Sequence, residues 1–240
     1  MEQKVIHKSN SRGHTNYGWL DSHHTFSFGN YYDPNRIHFG ALRVINDDIV
    51  NGGMGFGTHG HDNMEIISIP LEGALEHKDN MGNTAVIQSG DIQVMSAGSG
   101  IKHSEKNKSH ISPVKFLQIW IIPNKREVTP RYDQVTLNKN ERHNTLQQII
   151  SPDPNDQGVW IHQDAWFFLG SFDQGHQQTY SFKKNGNGVY ILILQGNATI
   201  QGQTLSDKDG IGIWDTDKIH ITAESTVEIL LMDVPMNIPI

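Results

Sequence analysis

Two pairs of ligand-type side chains stand out in this sequence because the members of each pair are separated by one residue. The stretch "GTHGHDNME" contains His59 and His61, and "IKHSEKN" contains His103 and Glu105. Residues i and i+2 of a β-strand point to the same face, so each pair presents two donor groups in one direction. Imidazole and carboxylate groups are ligands of divalent transition metals. On neighbouring barrel strands, the two pairs would bring three nitrogens and one oxygen to a single ion and leave coordination positions open.

Glu65 is a competing ligand in the first stretch. It has the same parity as His59 and His61, so on a regular strand it would face the same side. It lies four residues beyond His61, however, which is about 13 Å along an extended strand. A bulge or turn at Asp62 and Asn63 could bring it back, so the spacing alone leaves both ligand sets open.

The composition narrows the class of protein. The chain has 240 residues, a net charge of −7 and no cysteine, which excludes disulfides, thiolate ligands and a cysteine nucleophile. The acidic balance and the lack of a Lys/Arg cluster argue against direct nucleic-acid binding. No apolar run has the length of a membrane span, and the N-terminus lacks the pattern of a secretory signal. We therefore predict a cytoplasmic protein with no membrane partner.

Short apolar runs dominate the chain and predict an all-β fold. "MEIISIPLEG", "VKFLQIWIIP" and "GVYILILQGNATIQGQ" are examples, and Gly, Asn and Asp separate such runs. Strands spaced near ten residues indicate a sandwich or small barrel. The clearest helical pattern is "NERHNTLQQIISP", in which Leu146, Ile149 and Ile150 precede Pro152. We interpret Asp47 and Asp48 as a turn between two strands.

The two halves of the chain resemble each other. Each contains an apolar strand, a glycine, a second strand, and then "GD" or "DG" before another strand. Gly73 corresponds to Gly196, and the region of Gly90 corresponds to Gly210. This weak repeat predicts two related β domains, which we place at residues 1–140 and 141–240.

The motifs resemble those of the pirin family of cupins. "GFGTHGHDNMEIISIPLEG" is similar to the first cupin motif, and "GDIQVMSAGSGIKHSE" is similar to the second in the form found in pirins. "SHHTFSFGNYYDP", "FGALRVINDD" and "LLMDVP" also resemble pirin segments, so the resemblance covers nearly the whole chain. It implies a bicupin, with two jelly-roll-type β-barrels packed face to face, few short helices and a metal in the N-terminal barrel. The implied ligands are His59, His61, His103 and Glu105. Glu65 is then expected beside the ligands without binding the metal, or in the pocket wall.

The C-terminal half departs from the cupin pattern. It has "SFKKNGNGVY" where a His-x-His pair would be needed, and His220 is the only remaining ligand-type residue at a suitable place. One histidine cannot hold a metal. We therefore predict a degenerate, structural cupin domain without a metal.

The resemblance also implies an activity. Pirin-like proteins are associated with quercetin 2,3-dioxygenase activity, so the expected enzyme is an oxidoreductase that opens a flavonol such as quercetin with O₂. Glu105 would be both a metal ligand and the catalytic base. The expected cofactor is one divalent transition metal, with iron(II) first and Zn, Mn, Co, Ni or Cu as alternatives. The competing function is a non-enzymatic, metal-dependent redox or small-molecule sensor that regulates a protein partner, which the sequence does not identify.

Four residues near the N-terminus have two interpretations that both stay open. His23, His24, Phe26 and Phe28 belong to one stretch of alternating residues. They either line the pocket next to the metal or simply fill the mouth of the barrel. We take His24, Phe26 and Phe28, together with Glu65, as candidate pocket-wall residues.

Overall fold

β-strands account for most of the chain in the computed structural model, which describes residues 1–238. The described residues also contain two short 3₁₀ helices, Ser9–Ser11 and Lys139–Arg142. None of their helices is long and apolar enough to cross a membrane. The strands form two seven-stranded and two four-stranded sheets. This confirms the predicted all-β bicupin architecture.

The N-terminal barrel consists of one seven-stranded and one four-stranded sheet. In the larger sheet the strands are β2 (Gly13–Asn16), β3 (Leu20–His24), β4 (Leu42–Val50), β6 (Glu65–Glu72), β9 (Asp91–Ser96), β11 (Val114–Ile121) and β12 (Arg131–Thr136). In the smaller sheet they are β5 (Gly55–His61), β7 (Ala74–Asp79), β8 (Thr84–Gln88) and β10 (Ile101–Asn107). Their orders are β12-β9-β6-β11-β4-β3-β2 and β5-β10-β7-β8.

The C-terminal barrel repeats this arrangement. Its larger sheet contains β1 (Gln3–His7), β13 (Leu146–Ser151), β14 (Val159–Trp160), β15 (Trp166–Phe172), β17 (Asn187–Gln195), β20 (Gly210–Trp214) and β22 (Val227–Pro235). Its smaller sheet contains β16 (Gln177–Ser181), β18 (Ala198–Ile200), β19 (Gln203–Leu205) and β21 (Lys218–Ala223). The orders β1-β20-β17-β22-β15-β13-β14 and β16-β21-β18-β19 match those of the first barrel strand for strand.

The predicted repeat is confirmed by this topology and by its glycines. Gly73 lies between β6 and β7 with φ 79°, and Gly196 lies between β17 and β18 with φ 87°. A Cβ on Gly196 would stand 2.2 Å from the carbonyl oxygen of Thr226, and one on Gly73 would stand 3.2 Å from that of Pro113. Both turns therefore need a residue without a side chain, because a positive φ and a close backbone coincide.

The two barrels pack against each other through their larger sheets. The shared core joins Ile67 and Ile119 of the first barrel to Tyr190, Leu192 and Met232 of the second. Both faces of the central strands of these sheets are consequently buried, one by the interior of its own barrel and one by the other domain. This explains why β6 and β17 are apolar along most of their length and do not alternate.

The first strand of the chain does not stay with the N-terminal barrel. β1 pairs with β20 in the C-terminal sheet, from Gln3 opposite Trp214 to His7 opposite Gly210. β12 takes the equivalent edge position beside β9. The division of the chain near residue 140 stays a prediction, and the last two residues of the predicted second domain lie outside the described residues.

Two local predictions are wrong. The stretch predicted as a helix contains only the 3₁₀ turn at Lys139–Arg142, followed by β13. The pairing of β13 with β15 shifts register between Gln148 and Ile150, so that Ile149 and Ile150 are both buried in the shared core. Such a bulge lets consecutive residues face inward, which imitates helical spacing in the sequence. Asp47 and Asp48 form no turn either, because both lie inside β4.

Candidate metal centre

The predicted histidine pairs lie on adjacent strands of the smaller N-terminal sheet. β5 and β10 are antiparallel, and His59 stands directly opposite His103. In a regular ladder Glu105 would then stand opposite Gly57, but it pairs with Phe56, so the register shifts by one residue between His103 and Glu105. The extra residue on the glycine-rich strand β5 is a bulge, which redirects side chains locally. The pairing therefore brings both predicted pairs to the same part of the barrel.

Three histidines converge there. The ring centroids of His59 and His103 are 4.5 Å apart, those of His59 and His61 are 4.7 Å apart, and those of His61 and His103 are 5.0 Å apart. Each offers a nitrogen within 4.8 Å of the other two. The Nε2 atom of His103 is buried and has no hydrogen-bond partner. An orphaned buried nitrogen beside two further imidazoles fits a metal ion as the missing partner.

Hydrogen bonds orient two of these rings. The Nδ1 atom of His59 lies 2.8 Å from the carbonyl oxygen of Gly57, to which it donates. Its Nε2 atom then carries the lone pair. The Nδ1 atom of His103 lies 3.5 Å from the Nδ1 atom of His77. This contact leaves Nε2 of His103 as its nitrogen for a ligand.

His77 and Asp79 extend this chain of contacts, and the sequence interpretation missed both. The Nε2 atom of His77 lies 3.0 Å from the Oδ2 atom of Asp79, and both side chains are fully buried. Since the Asp79 carboxylate is an acceptor, Nε2 of His77 carries the proton and its Nδ1 accepts from Nδ1–H of His103. Nε2 of His103 is then the bare nitrogen that a metal requires. The i, i+2 pair in "LEHKDN" on β7 was the available signal.

Burial keeps two of the histidines neutral. It lowers the pKa of His103 to about 3, and the neighbouring imidazoles of His59 and His61 add to the effect. Burial also lowers the pKa of His61 to about 4, again with help from His59. At neutral pH both side chains are therefore in the unprotonated form that binds a metal.

Glu105 lies close to the histidines but has partners of its own. Its side chain is buried, and it accepts hydrogen bonds from Ser68 at 3.0 Å and from Gln118 at 2.7 Å. Burial raises the pKa of Glu105, which the bond from Ser68 partly offsets. Its oxygens do not join the three nitrogens within 4.8 Å. Each of its two oxygens accepts one of these hydrogen bonds and keeps a further lone pair. Its role as a fourth ligand stays a prediction.

Glu65 points away from the centre. Ser68 faces the barrel interior, whereas Glu65 and Ile67 lie on the opposite face of β6, toward the shared core. Glu65 accepts a 2.6 Å bond from Ser96, and burial raises its pKa to about 7. Asn63, at φ 48°, turns the chain from one sheet to the other. The alternation of side chains along β5 therefore does not continue into β6, and Glu65 need not face the same side as His59 and His61. The prediction of Glu65 as a pocket-wall residue is therefore corrected.

A cavity of about 590 Å³ opens beside the histidines. Of the candidate wall residues, His24 and Phe28 line it. Phe26 does not, because its ring packs against those of His7 and Tyr190 near the shared core. His24 hydrogen-bonds Asn46 at 2.8 Å. Aromatic side chains form much of the remaining wall: Tyr17, Trp19, Phe56 and Trp120.

Asp48 is a second cavity carboxyl group that the sequence interpretation missed. It is buried on the inner face of β4, and Ser22 donates a short hydrogen bond to it. Burial raises its pKa to about 7, and the nearby carboxylates of Asp47 and Glu105 contribute. The alternation in "RVINDDIV" was a usable signal, because it places Asp48 on the same face as Asn46.

The equivalent part of the C-terminal barrel is filled with apolar and aromatic side chains. Strand order and register place four core residues at the positions of His59, His77, His103 and Glu105: Tyr180, Ile200, Ile219 and Ile221. His220 lies outside this core, exposed, and contacts Thr179 at 3.1 Å. The prediction of a second barrel without a metal rests on this packing.

Known proteins are similar to this chain over almost its full length. The family model described as "Pirin" matches residues 5–121, and that of the quercetinase C-terminal cupin domain matches residues 148–234. The chain is 45% identical to a quercetin 2,3-dioxygenase of Escherichia coli, with 96% of this chain and 98% of that protein covered. It is 38% identical to a pirin-like protein of Caulobacter vibrioides, with 92% and 95% covered.

A solved structure gives the same result. The bacterial pirin YhhW from Escherichia coli, in complex with nickel(II), has a TM-score of 0.92 at 44% identity, with 97% of this chain and 99% of that chain covered. The sequence motifs, the paired barrels and the histidine centre agree with these similarities. The chain belongs to the pirin family.

Proposed function

We propose that this protein is a metal-dependent dioxygenase that opens a ring of a flavonol, such as quercetin, with O₂. The observation that carries the proposal is the buried, unpartnered Nε2 atom of His103 among three convergent imidazoles, beside an aromatic-walled cavity. The similarity to the Escherichia coli quercetin 2,3-dioxygenase over nearly both chains supports the reaction type.

His59, His61 and His103 would hold the ion, and Glu105 is the proposed fourth ligand. A divalent transition metal, once bound, would supply Lewis-acid activation of the substrate hydroxyl and a place for O₂. We propose iron(II) as the resident ion, because imidazole and carboxylate donors with open positions suit it. Nickel is the alternative with support from a relative, the nickel(II) complex of YhhW.

The cavity walls would orient a planar aromatic substrate. Phe28 meets Trp120 edge to face at 5.3 Å, and Trp19 meets Phe56 at 5.5 Å. Trp120 also contacts the ring of His61 at 5.0 Å, which joins the aromatic wall to the metal centre. Such surfaces stack on flat rings and displace water from the reacting atoms. A cavity of about 590 Å³ is within the usual range for small-molecule sites.

Two buried carboxyl groups would handle the substrate proton. Glu105 is the proposed base that takes the proton of the flavonol hydroxyl, since burial raises its pKa and so strengthens the carboxylate as an acceptor. Asp48, with its pKa raised to about 7, is the proposed second acceptor on the same cavity wall. Gln118 and Ser22 fix the orientations of the two groups by hydrogen bonds.

Oxygen uptake tests the proposal. Protein stripped of metal and reloaded with iron(II) or nickel(II) should consume O₂ as the quercetin absorbance falls, and Glu105→Gln should abolish most of the activity. Glu65→Gln is the matched control, because Glu65 and Glu105 are each 1% exposed, but Glu105 points into the barrel whereas Glu65 lies on the face of β6 turned away from the barrel interior. If reloaded protein neither binds quercetin nor consumes O₂ with any of the six metals considered, the dioxygenase assignment is wrong.

A further inference from the structure

A second group of metal-ligating side chains lies outside the centre already described. β2 and β3 form an antiparallel ribbon in which His14 stands directly opposite His23. Asp21 is two residues before His23 on β3, so it projects from the same face. Ser22 and His24 alternate with Asp21 and His23 along β3, and they face the cavity on the other side of the ribbon. The outer face of this cavity wall therefore presents two imidazoles and a carboxylate together.

The three donor groups are already close. The Oδ1 atom of Asp21 lies 2.8 Å from Nε2 of His14 and 3.7 Å from Nδ1 of His23. The two imidazole rings are stacked, with centroids 4.4 Å apart and planes 17° from parallel. One donor atom from each residue lies within 4.8 Å of the others. Tetrahedral zinc with bonds of about 2.1 Å needs donors about 3.4 Å apart. The spacing of the donor atoms is compatible with this, but one of the two stacked rings has to turn out of the stack, because imidazole lone pairs lie in the ring plane.

The surroundings favour a cation at this position. Asn16 donates to the second oxygen of Asp21 at 3.2 Å, which fixes the carboxylate. Asp47 pairs with Arg12 at 3.4 Å and with Lys208 at 3.2 Å, which partly offsets the positive charge near His23. Side-chain exposures of 50% for His14 and 38% for His23 leave room for water to complete the coordination.

We propose that His14, Asp21 and His23 form a second divalent-metal site, of the kind that binds zinc, on the outer face of the β2–β3 ribbon. A bound ion would cross-link the two strands of the ribbon. Because Thr15, Ser22 and His24 on its inner face line the cavity, the occupied site would also hold that cavity wall in place. This inference does not depend on the dioxygenase proposal.

Zinc stoichiometry tests the second site. Full-length protein stripped with a chelator should take up two zinc ions in equilibrium dialysis and calorimetry. His23→Ala and, separately, His103→Ala should each take up one, and the double variant should take up none. His143→Ala is the matched control, because His143 is an exposed histidine near a single carboxylate, that of Asp173 at 3.3 Å, and belongs to no three-ligand group among residues 1–238. It should take up two.

The affinities separate this site from loose surface binding. The His23→Ala change should weaken the outer site at least about tenfold, since one of three ligands is lost. Circular dichroism should show that His23→Ala is folded, because the side chain of His23 is 38% exposed. The same measurement checks the fold of the variants that lack the buried His103. Uptake by the wild type of a single zinc ion that His23→Ala retains, or uptake of two zinc ions by His23→Ala, would overturn the proposal.

Discussion

The His77→Phe substitution tests whether Asp79 and His77 orient the metal-binding ring of His103. Phenylalanine keeps a ring in the fully buried position and its packing against Tyr132, whose centroid is 4.7 Å away. It removes both nitrogens, so Nδ1–H of His103 loses its acceptor. The ring of His103 would then be free to rotate or change tautomer, and its affinity for a metal should fall.

The size of the effect follows from the geometry. The contact between the Nδ1 atoms of His77 and His103 is 3.5 Å long, at the outer limit for a hydrogen bond. A net contribution at the lower end of the usual range, about 0.5 kcal/mol, suits so long a bond. The buried N–H left without an acceptor adds to this loss. We therefore expect the Kd for metal to rise about tenfold, the lower end of the range for partners of metal-bound histidines.

Chelator competition with nickel(II) or zinc(II) on metal-free protein measures this Kd, and the thermal midpoint of the metal-free variant reports on its fold. His220→Phe is the control, because His220 is an exposed histidine on the smaller sheet of the other barrel. It should leave the Kd unchanged. If the Kd of His77→Phe stays within about twofold of that of the wild type and the fold is intact, then His77 and Asp79 do not orient the ring of His103.

Three further predictions concern single carboxyl or imidazole groups. Glu105→Gln should raise the Kd for metal at least about tenfold in the same competition assay, whereas Glu65→Gln should leave it unchanged. Equal effects of the two changes would contradict the placement of Glu65 on the face of β6 turned away from the metal centre. Asp48→Asn should remove the change of slope near pH 7 from the pH profile of log kcat/KM for quercetin, because the pKa of this carboxyl group is raised to about 7. If the profile of the variant keeps that change of slope, a group other than Asp48 is responsible for it. Burial lowers the pKa of His7 from 6.5 to about 4, so between these values the unfolded chain binds a proton that the folded protein does not. Relative to His7→Phe, the wild type should lose about 3 kcal/mol of unfolding free energy as pH falls through this window, measured by urea denaturation; a constant difference would rule out the assigned pKa.

The sequence was sufficient for features that depend on local spacing. The pairs His59/His61 and His103/Glu105 each lie on one strand, and period-2 alternation places both members of a pair on one face. The strand-rich pattern and the glycines at positions 73 and 196 predicted the repeated barrels, because tight turns with positive φ need glycine. The convergence of the three histidines follows once β5 and β10 are paired.

Other features were decided by tertiary structure. The turn at Asn63 transfers the chain between sheets, which puts Glu65 on the opposite side from the metal centre. A register shift in β13 buries consecutive isoleucines in a strand that the sequence pattern made look helical. Asp48 acquires its raised pKa only because the folded barrel removes it from water.

The amino-acid sequence by itself therefore determined which donor groups share a strand face, since that depends on the backbone of a few neighbouring residues. Only the tertiary structure decided which faces meet and which are buried. His77 and Asp79 illustrate the difference: their spacing is visible in the sequence, but their role depends on β7 lying beside β10, where His77 reaches the Nδ1 atom of His103. Strand pairing joins residues distant in the chain. The burial of both faces of the central strands of the larger sheets also removes the alternation that would otherwise show which side each residue takes.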